Sequence, residues 1–203
     1  MSAARRLAAV AGGTVLGAAL WWRKHPSACP YSQRFWVEAP HPFITRERLL
    51  EILEPVGGER LLEVGPGTGY YTLPVAEWLS PVGRLDVVDV QQEMLDHTME
   101  RAQEVGIGHI KPVRSDAREL PFPDDTFDGA YLVTVLGEIP DQVAALRELG
   151  RVVRPGGRIV VGELFGDPHM VTHSALAERA RAAGLSVDRK LGGALWHFTR
   201  LQA

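Results

Sequence analysis

Apolar residues recur along the chain with two alternating periods from about Thr45 onward. Five short apolar runs predict buried strands, at 60–64, 84–90, 109–116, 127–136 and 157–164. Stretches with helical spacing predict the helices that accompany them, at 46–56, 70–79, 91–105, 141–153 and 172–183. Two final runs, 186–191 and 194–201, predict strands with no helix between them.

Strands that alternate with helices predict βαβ units and a mostly parallel, doubly wound sheet. The last two strands have no intervening helix, so they must pair antiparallel. Ligands of open α/β sheets bind beyond the carboxyl ends of the strands. We therefore expect the functional residues directly after the ends of the five apolar runs, at Val64, Val88, Val113, Leu136 and Leu164.

Polar residues and glycines mark the expected helix ends. Thr45 can cap the first helix, and Gly57 with Gly58 is expected to end it. Helix 91–105 is expected to stop at Gly106. Its predicted buried face consists of Met94, Leu95, Thr98, Met99, Ala102 and Val105.

Composition and charge are those of an ordinary globular domain. The 203 residues are 45% hydrophobic and 23% charged, with a net charge of −3. Because there is no basic excess and no long run of Lys and Arg, nucleic acid is not expected as the main partner. Cys29 is the single cysteine, which excludes an intramolecular disulfide and a cysteine-based zinc site. No metal site is predicted.

The segment 7–22 carries no charged residue and has two basic residues on each side. It is slightly short of the roughly 20 residues that a spanning helix needs. Trp21 and Trp22 beside Arg23 are typical of an interfacial anchor. Three interpretations of the hydrophobic helix 1–24 stay open: a membrane-contacting helix, a helix packed over the domain, and a cleaved signal peptide. The catalytic domain is expected in the cytoplasm or at the cytoplasmic face of a membrane.

Residues 25–44 are rich in proline and aromatic side chains and predict an irregular connector or lid before a domain at 45–203. An apolar cover over a bound acceptor is expected from four aromatic residues, Tyr31, Phe35, Trp36 and Phe43. Together with the hydrophobic N-terminus, this cover suggests a lipophilic acceptor taken up at the membrane surface.

A glycine-rich turn, LLEVGPGTGY, occupies residues 61–70 after the first strand. Gly65, Gly67 and Gly69 lack the Cβ atom that would keep a ligand away from the backbone. Asp89 ends the second strand, where a carboxylate can accept both hydroxyl protons of a ribose. Turn and carboxylate together predict a nucleoside site.

The spacing of the glycines in the turn indicates whether the ligand is a dinucleotide or a nucleoside that carries a sulfonium. A dinucleotide fingerprint places its third glycine in the helix, but here Gly69 comes one residue early and Tyr70 fills that place. Glu63 would repel a pyrophosphate, whereas it would favour the ammonium of a methionine moiety. A nicotinamide-dependent oxidoreductase therefore stays as an alternative only.

Four motifs in this order resemble the class I S-adenosylmethionine-dependent methyltransferases: LLEVGPGTGYYT, LDVVDVQQEML, RSDARELPFPDDTFDGAYLVTVLGEIPD and ALRELGRVVRPGGRIVVGEL. The resemblance runs from about Thr45 to the C-terminus and is strongest to the quinone- and lipid-type enzymes. It implies S-adenosylmethionine as the cofactor and a Rossmann-like α/β fold of seven strands, the last one antiparallel. The implied function is methyl transfer to a small lipophilic acceptor, giving S-adenosylhomocysteine. A catalytically silent cofactor-binding protein is the alternative.

The resemblance also implies which residues hold the cofactor. The glycine turn would hold the methionine part, Asp89 the ribose, and Asp116 the amino group of the adenine. The end of the fourth strand would lie near the sulfonium, which the ring of Tyr70 could also face. The full expected set is Glu63, Gly65, Gly67, Gly69, Tyr70, Asp89, Val90, Gln91, Asp116, Ala117, Val133 and Thr134.

A general base is expected only where the acceptor must lose a proton. The loops after the fourth and fifth strands supply the candidates, Glu138, Glu163, Asp167, His169 and His173. His169 is the first choice because histidine titrates near neutral pH, and Glu138 is the second. The identity of the acceptor, its reacting atom and the oligomeric state stay open.

Overall fold

The structure, a computed structural model, describes residues 26–35 and 42–202. The expected hydrophobic helix 1–24, its segment 7–22 and the lid residue Trp36 lie outside the described residues. No helix within the described ranges is long and apolar enough to cross a membrane.

Helices and strands alternate through most of the described chain. The strands are β1 (Arg60–Val64), β2 (Arg84–Asp89), β3 (Ile110–Arg114), β4 (Phe127–Val133), β5 (Val153–Leu164), β6 (Ser186–Gly192) and β7 (Trp196–Gln202). The α-helices are α1 (Arg46–Leu53), α2 (Thr72–Leu79), α3 (Gln92–Glu104), α4 (Gln142–Val152) and α5 (His173–Ala182). Short 3₁₀ turns occupy Tyr31–Gln33 and Leu136–Glu138.

The seven strands form one sheet in the order β3-β2-β1-β4-β5-β7-β6. Strands β1 to β5 are parallel, and β7 runs antiparallel to both of its neighbours. This arrangement confirms the predicted fold, including the antiparallel last strand. The chain moves outward from β1 through β2 to β3 and then returns to β4 on the other side, so β1 lies at the switch point of the sheet.

Apolar layers cover both faces of the sheet. Because neighbouring residues of a strand point to opposite faces, Leu61 packs against α1, α2 and α3, while Leu62 packs against α4 and α5. Both leucines are fully buried. Burial of each such side chain contributes about 1.5–3 kcal/mol, which explains why the strands read as near-continuous apolar runs.

Several predicted boundaries shift. Thr45 caps α1 as expected, through an Oγ1 that accepts the N–H of Arg48. However, α1 ends at Leu53, because Glu54 adopts a left-handed backbone (φ 48°) before the glycines are reached. The prediction that Val105 is buried on α3 was wrong, since its side chain is 60% exposed beyond the helix end. β4 ends at Val133 rather than at Leu136.

Candidate active site

A cavity of about 810 Å³ lies at the carboxyl edge of the sheet. Its walls come from the residues that follow each of β1 to β5, together with a part of the chain before α1. This is the edge where the strand pattern predicted a ligand site. The lining residues after the strands fall within 64–67, 88–94, 115–117, 133–140 and 164–169.

Most of the predicted site residues come together in this cavity. The predicted cofactor residues in its lining are Gly65, Gly67, Asp89, Val90, Gln91, Asp116, Ala117, Val133 and Thr134. Both catalytic candidates, Glu138 and His169, also line it. Three predicted cofactor residues do not line it, namely Glu63, Gly69 and Tyr70.

Gly65 begins the turn in a backbone conformation that favours glycine, with a φ of 71°. A Cβ added there would lie 2.4 Å from Cγ2 of Val135, so a larger residue would push into the loop after β4. The N–H of Gly65 donates to the carbonyl of Val88 at 2.8 Å. The glycine thus lets the ends of β1, β2 and β4 meet closely at one wall of the cavity.

Asp89 is the last residue of β2 and presents its carboxylate at the cavity. Its Oδ1 accepts the N–H of Gln91 at 2.9 Å. Burial raises the pKa of Asp89 to about 6, against the opposing effect of backbone hydrogen bonds from Gln91 and Val90. The carboxylate is therefore largely ionised at neutral pH and able to accept hydrogen bonds from hydroxyl groups.

Asp116 lines the cavity after β3, but its carboxylate is already engaged. Arg118 donates from Nη2 to Oδ2 at 2.7 Å, and also from its Nε and its backbone N–H. These hydrogen bonds lower the pKa of Asp116. Recognition of an adenine amino group by this carboxylate would therefore have to share it with Arg118.

Glu63 lies beneath the glycine turn rather than in the cavity wall. It is 3% exposed and points to the same face of the sheet as Tyr131, its register partner on β4. Burial raises the pKa of Glu63 to about 7, against the opposing effect of the hydroxyls of Thr72 and Tyr131. Among the described residues, Glu63 Oε2, Thr72 Oγ1 and Tyr131 Oη have no partner in normal hydrogen-bond geometry.

Gly69 and Tyr70, which do not line the cavity, make contacts within the protein. The N–H of Gly69 donates to the carbonyl of Pro66 at 2.9 Å and closes the turn. The Arg46 guanidinium lies 4.4 Å from the ring centroid of Tyr70, and the Tyr71 ring packs edge-on against it at 4.8 Å. The ring of Tyr70 thus joins the start of α1 to the turn.

The loop after β4 carries a strained residue and a buried acid. Thr134 has a φ of 56°, which is unusual for a β-branched residue and common near functional sites. The Oε2 of Glu138 accepts the backbone N–H of Cys29 at 3.1 Å. Burial, with a smaller effect from the nearby carboxylates of Asp167 and Asp89, raises the pKa of Glu138 to about 8, against the opposing effect of the Cys29 N–H.

The loop after β5 brings Asp167 and His169 to the same cavity. Asp167 Oδ1 accepts the N–H of His169 at 2.7 Å, and burial raises the pKa of Asp167. Gly137 makes room for this loop, because a Cβ there would lie 1.9 Å from the His169 carbonyl oxygen.

Two other base candidates from this region lie outside the cavity lining. Glu163 is 1% exposed and its Oε2 accepts the N–H of Val171. His173 Nδ1 lies 3.1 Å from Thr199 Oγ1, on β7, the strand next to β5.

Residues from the segment 25–44, which was predicted as a connector or lid, line the cavity, but they are not the aromatic ones. The lining residues before α1 are Pro26, Ser27, Ala28, Cys29 and Gln33. The described aromatic residues of the predicted lid do not line the cavity, and Phe35 is 70% exposed. No periodic pattern or motif distinguishes residues 26–29 within the predicted connector, whereas Val135, Leu164 and Phe165 could be found from their places after β4 and β5.

Apart from His169 and Cys29, the ionisable side chains of the lining are carboxylates. Asp89, Asp116, Glu138 and Asp167 line the cavity, and no Lys or Arg does so among the described residues. No three His, Cys, Asp or Glu side chains within 26–35 and 42–202 are placed to hold a metal ion. The site therefore suits a ligand that carries positive charge.

The ubiE/COQ5 methyltransferase family model matches residues 42–177. The chain belongs to the ubiE/COQ5 methyltransferase family. The match confirms the predicted family and, with it, S-adenosylmethionine as the cofactor. The matched range contains the glycine turn, Asp89 and the loops after β4 and β5.

Curated relatives of this family member are similar over part of their length. A demethylmenaquinone methyltransferase of Anoxybacillus flavithermus is 37% identical over 103 residues, which are 51% of this chain and 44% of that protein. A demethylmenaquinone methyltransferase of Staphylococcus aureus is 32% identical over 117 residues, which are 58% of this chain and 48% of that protein. The chain spans about half the length of the curated relatives it matches.

Solved structures share the methyltransferase fold of this family member. A SAM-dependent methyltransferase from Aquifex aeolicus has a TM-score of 0.78 at 20% identity, covering 86% of this chain and 98% of that one. The [4+2]-cyclase SpnF has a TM-score of 0.65 at 29% identity, and the match covers 72% of this chain and 57% of that one. The fold alone therefore does not determine the chemistry.

Proposed function

We propose that this chain is an S-adenosylmethionine-dependent methyltransferase that acts on a small, neutral, quinol-type acceptor. The observation that carries the proposal is the acidic lining of the cavity after β1 to β5, in which Asp89 faces the ligand space and no Lys or Arg does so among the described residues. A sulfonium and an ammonium are favoured in such a site, whereas a pyrophosphate is repelled.

The residues after β1 and β2 fit the cofactor. Gly65 and Gly67 have positive φ values of 71° and 56° and line the cavity, so the turn presents bare backbone to the ligand. Asp89 supplies an ionised carboxylate for two ribose hydroxyls. The nicotinamide alternative is disfavoured by the same lining, because no described lining residue offers a positive charge to its phosphates.

The residues after β4 and β5 fit a neutral acceptor. Val135, Ile139, Leu164 and Phe165 supply apolar surface to the cavity. Glu138 lies within the same stretch of lining, and its raised pKa of about 8 leaves it largely uncharged near neutral pH, which suits a neutral acceptor. A neutral ring with a hydroxyl group matches this wall, and the names of the demethylmenaquinone methyltransferase relatives support a quinol.

Alignment and proton removal are the tasks of the chain's own residues. The bound cofactor supplies a methyl group activated by positively charged sulfur. The walls around Val133 and Thr134 hold the acceptor in line with it, and such alignment supplies much of the acceleration. Glu138 accepts the proton that the acceptor loses, because a carboxyl with a pKa near 8 is a stronger base than an ordinary carboxylate. His169, in the neighbouring loop, is the second candidate.

Calorimetric titration of the full chain with S-adenosylhomocysteine and with NADH tests the cofactor. We expect S-adenosylhomocysteine to bind and NADH not to bind. The Asp89→Ala variant should lose at least about 10-fold in affinity, since charge-assisted hydrogen bonds are removed. Preference for NADH, or no binding of S-adenosylhomocysteine, would overturn the proposal.

A turnover assay separates the enzyme from a silent binding protein. The full chain is incubated with S-adenosylmethionine and a short-chain demethylated naphthoquinol, and both products are followed by mass spectrometry. We expect S-adenosylhomocysteine and the methylated quinol in equal amounts, with Asp89→Ala as the inactive control. Tight cofactor binding without either product from quinols, phenols or amines would favour the silent protein.

The N-terminal segment 7–22 supports contact of the enzyme with a membrane, because it contains two tryptophans and has basic residues on both sides. Such contact suits an enzyme whose acceptor is lipophilic. We expect the full chain to co-sediment with anionic vesicles and a variant that lacks residues 1–24 to remain in the supernatant. Equal partition of the two proteins would contradict membrane contact at this segment.

A further inference from the structure

The chain segment 26–33, which we call the strap, forms one wall of the cavity. Five of its residues line the cavity, and they lie opposite the carboxyl ends of the strands. Most strap residues are exposed or half-buried, and the 3₁₀ turn Tyr31–Gln33 contains no buried residue. An apolar core therefore does not hold the strap in place, and a few polar contacts must do so.

Two hydrogen bonds hold the backbone of Cys29, one at its N–H and one at its carbonyl. Its N–H donates to Glu138 Oε2 at 3.1 Å, and its carbonyl accepts from Gln91 Nε2 at 2.9 Å. Gln91 follows β2 and Glu138 follows β4, and these two strands flank β1 in the sheet. The strap thus crosses the switch point, where the glycine turn and Asp89 face the ligand space.

Gln91 uses its whole side-chain amide to hold the strap. Besides the bond to Cys29, its Oε1 accepts the N–H of Tyr31 at 3.2 Å. The amide therefore pairs with alternate residues of the strap much as a neighbouring strand would. Gln91 was expected to flank the adenine, but its polar atoms are directed at the protein's own backbone.

We propose that the strap is a gate over the cofactor site and that Gln91 is the positioning residue that keeps it closed. A ligand between the loops after β2 and β4 lies under the strap, so entry and release both require the strap to lift. The identity of that ligand, S-adenosylmethionine or its product, rests on the proposed function. Loss of the two Gln91 hydrogen bonds should favour the open strap by roughly 10-fold.

The test compares Gln91→Leu with Gln92→Leu in the full chain. Gln92 is the next residue and exposed, and its amide bonds only to Asp96 on α3 among the described contacts. Association and dissociation rates of S-adenosylhomocysteine are measured by stopped flow. We expect both rates to rise about 10-fold in Gln91→Leu while the equilibrium constant changes less than about three-fold. Gln92→Leu should match the wild type.

A residue that contacts the ligand directly would give a different pattern. Its loss would raise the dissociation rate and leave the association rate unchanged. That result, or rates equal to those of the wild type, would overturn the gate.

Hydrogen exchange at the amides of Cys29 and Tyr31 tests the anchoring in ligand-free protein. We expect faster exchange at both amides in Gln91→Leu than in Gln92→Leu, with unchanged exchange in β1. Equal exchange in the two variants would overturn the gate even if S-adenosylhomocysteine failed to bind. Failure of the wild type to bind S-adenosylhomocysteine would instead overturn the proposed function.

Discussion

The Oδ1 of Asp89 lies 2.9 Å from the backbone nitrogen of Gln91, which fixes the carboxylate at the end of β2. Burial raises the pKa of Asp89 to about 6, so the carboxylate becomes protonated at only mildly acidic pH. The ionisation of this one carboxylate therefore determines how the end of β2 can bind a ligand at the cavity wall. A carboxyl group can accept hydrogen bonds from two hydroxyl groups with both of its oxygens only in its ionised form.

The affinity for S-adenosylhomocysteine should therefore depend on pH through Asp89. Above pH 6 the ionised carboxylate binds the ribose, and below it we expect affinity to fall by up to about 10-fold per pH unit. Asp89→Asn should bind more weakly at pH 7.5 and lack this dependence. Calorimetry between pH 5 and 8 compares the two curves, with exposed Asp96→Asn as the control. Parallel curves for the wild type and Asp89→Asn would contradict the assignment.

A second relationship lies at the opposite edge of the sheet, far from the cavity. Asp86 is fully buried on β2, with Arg60 Nε at 2.9 Å from Oδ2 and Arg84 Nη2 at 2.7 Å from Oδ1. Removing the carboxylate leaves two arginines beside an emptied site. We expect Asp86→Ala to lower the free energy of unfolding by about 3 kcal/mol.

Denaturant unfolding measures this loss, with Asp96→Ala as the matched control for an exposed aspartate. The control should change the free energy of unfolding by less than about 0.5 kcal/mol. Affinity for S-adenosylhomocysteine should stay at the wild-type value in the folded Asp86→Ala protein. A loss below about 1 kcal/mol would show that the arginines are satisfied by water.

Much of the architecture could be predicted from the sequence because the pattern repeats. Apolar runs, separated by helical periods, indicated the parallel strands, and Gly65 with Asp89 indicated the ligand edge. Thr45 was predicted correctly as a cap because its hydroxyl acts over three residues. Signals of this kind can be predicted because they depend only on residues that are close together in the sequence.

The remaining features depend on contacts between distant residues. Cys29 and Glu138 are 109 positions apart, and nothing in either stretch predicts their hydrogen bond. Glu63 was expected to line the methionine part of the cofactor, but it does not line the cavity and lies beside Tyr131 of β4. The exposed Val105 and the early end of α1 at Leu53 reflect backbone choices that hydrophobic spacing does not encode.

The buried Glu63 gives a prediction about stability and pH. Its pKa is raised from 4.5 to about 7, so folding favours the protonated form. The stabilisation from this proton is present below pH 4.5 and is lost as pH rises through 7. We expect Glu63→Gln, which stays neutral, to gain about 2–3 kcal/mol relative to the wild type between pH 4.5 and 7.5.

Chemical denaturation across this pH range checks the difference between the two proteins. Glu77→Gln on the exposed side of α2 is the control, and its difference from the wild type should not follow the same curve. A constant offset between Glu63→Gln and the wild type would mean that Glu63 is ionised in the folded protein throughout.

Glu138 and His169 line the same cavity and compete for the role of base. Burial raises the pKa of Glu138 to about 8, so its base form increases with pH up to that value. The single-turnover rate of methyl transfer should therefore rise with pH and level off above about pH 8. Glu138→Gln should be slower by about 100-fold or more and should lack this rise. His169→Gln should keep it.

The glutamine at position 138 can still accept the N–H of Cys29, so the strap contact survives in Glu138→Gln. Affinity for S-adenosylhomocysteine should accordingly stay within about two-fold of the wild type, since the hydrogen bond is retained. Rapid-quench measurements from pH 6 to 9 give the rates, and calorimetry gives the affinities. If His169→Gln loses the pH-dependent rise and Glu138→Gln keeps it, the proton passes to His169 instead.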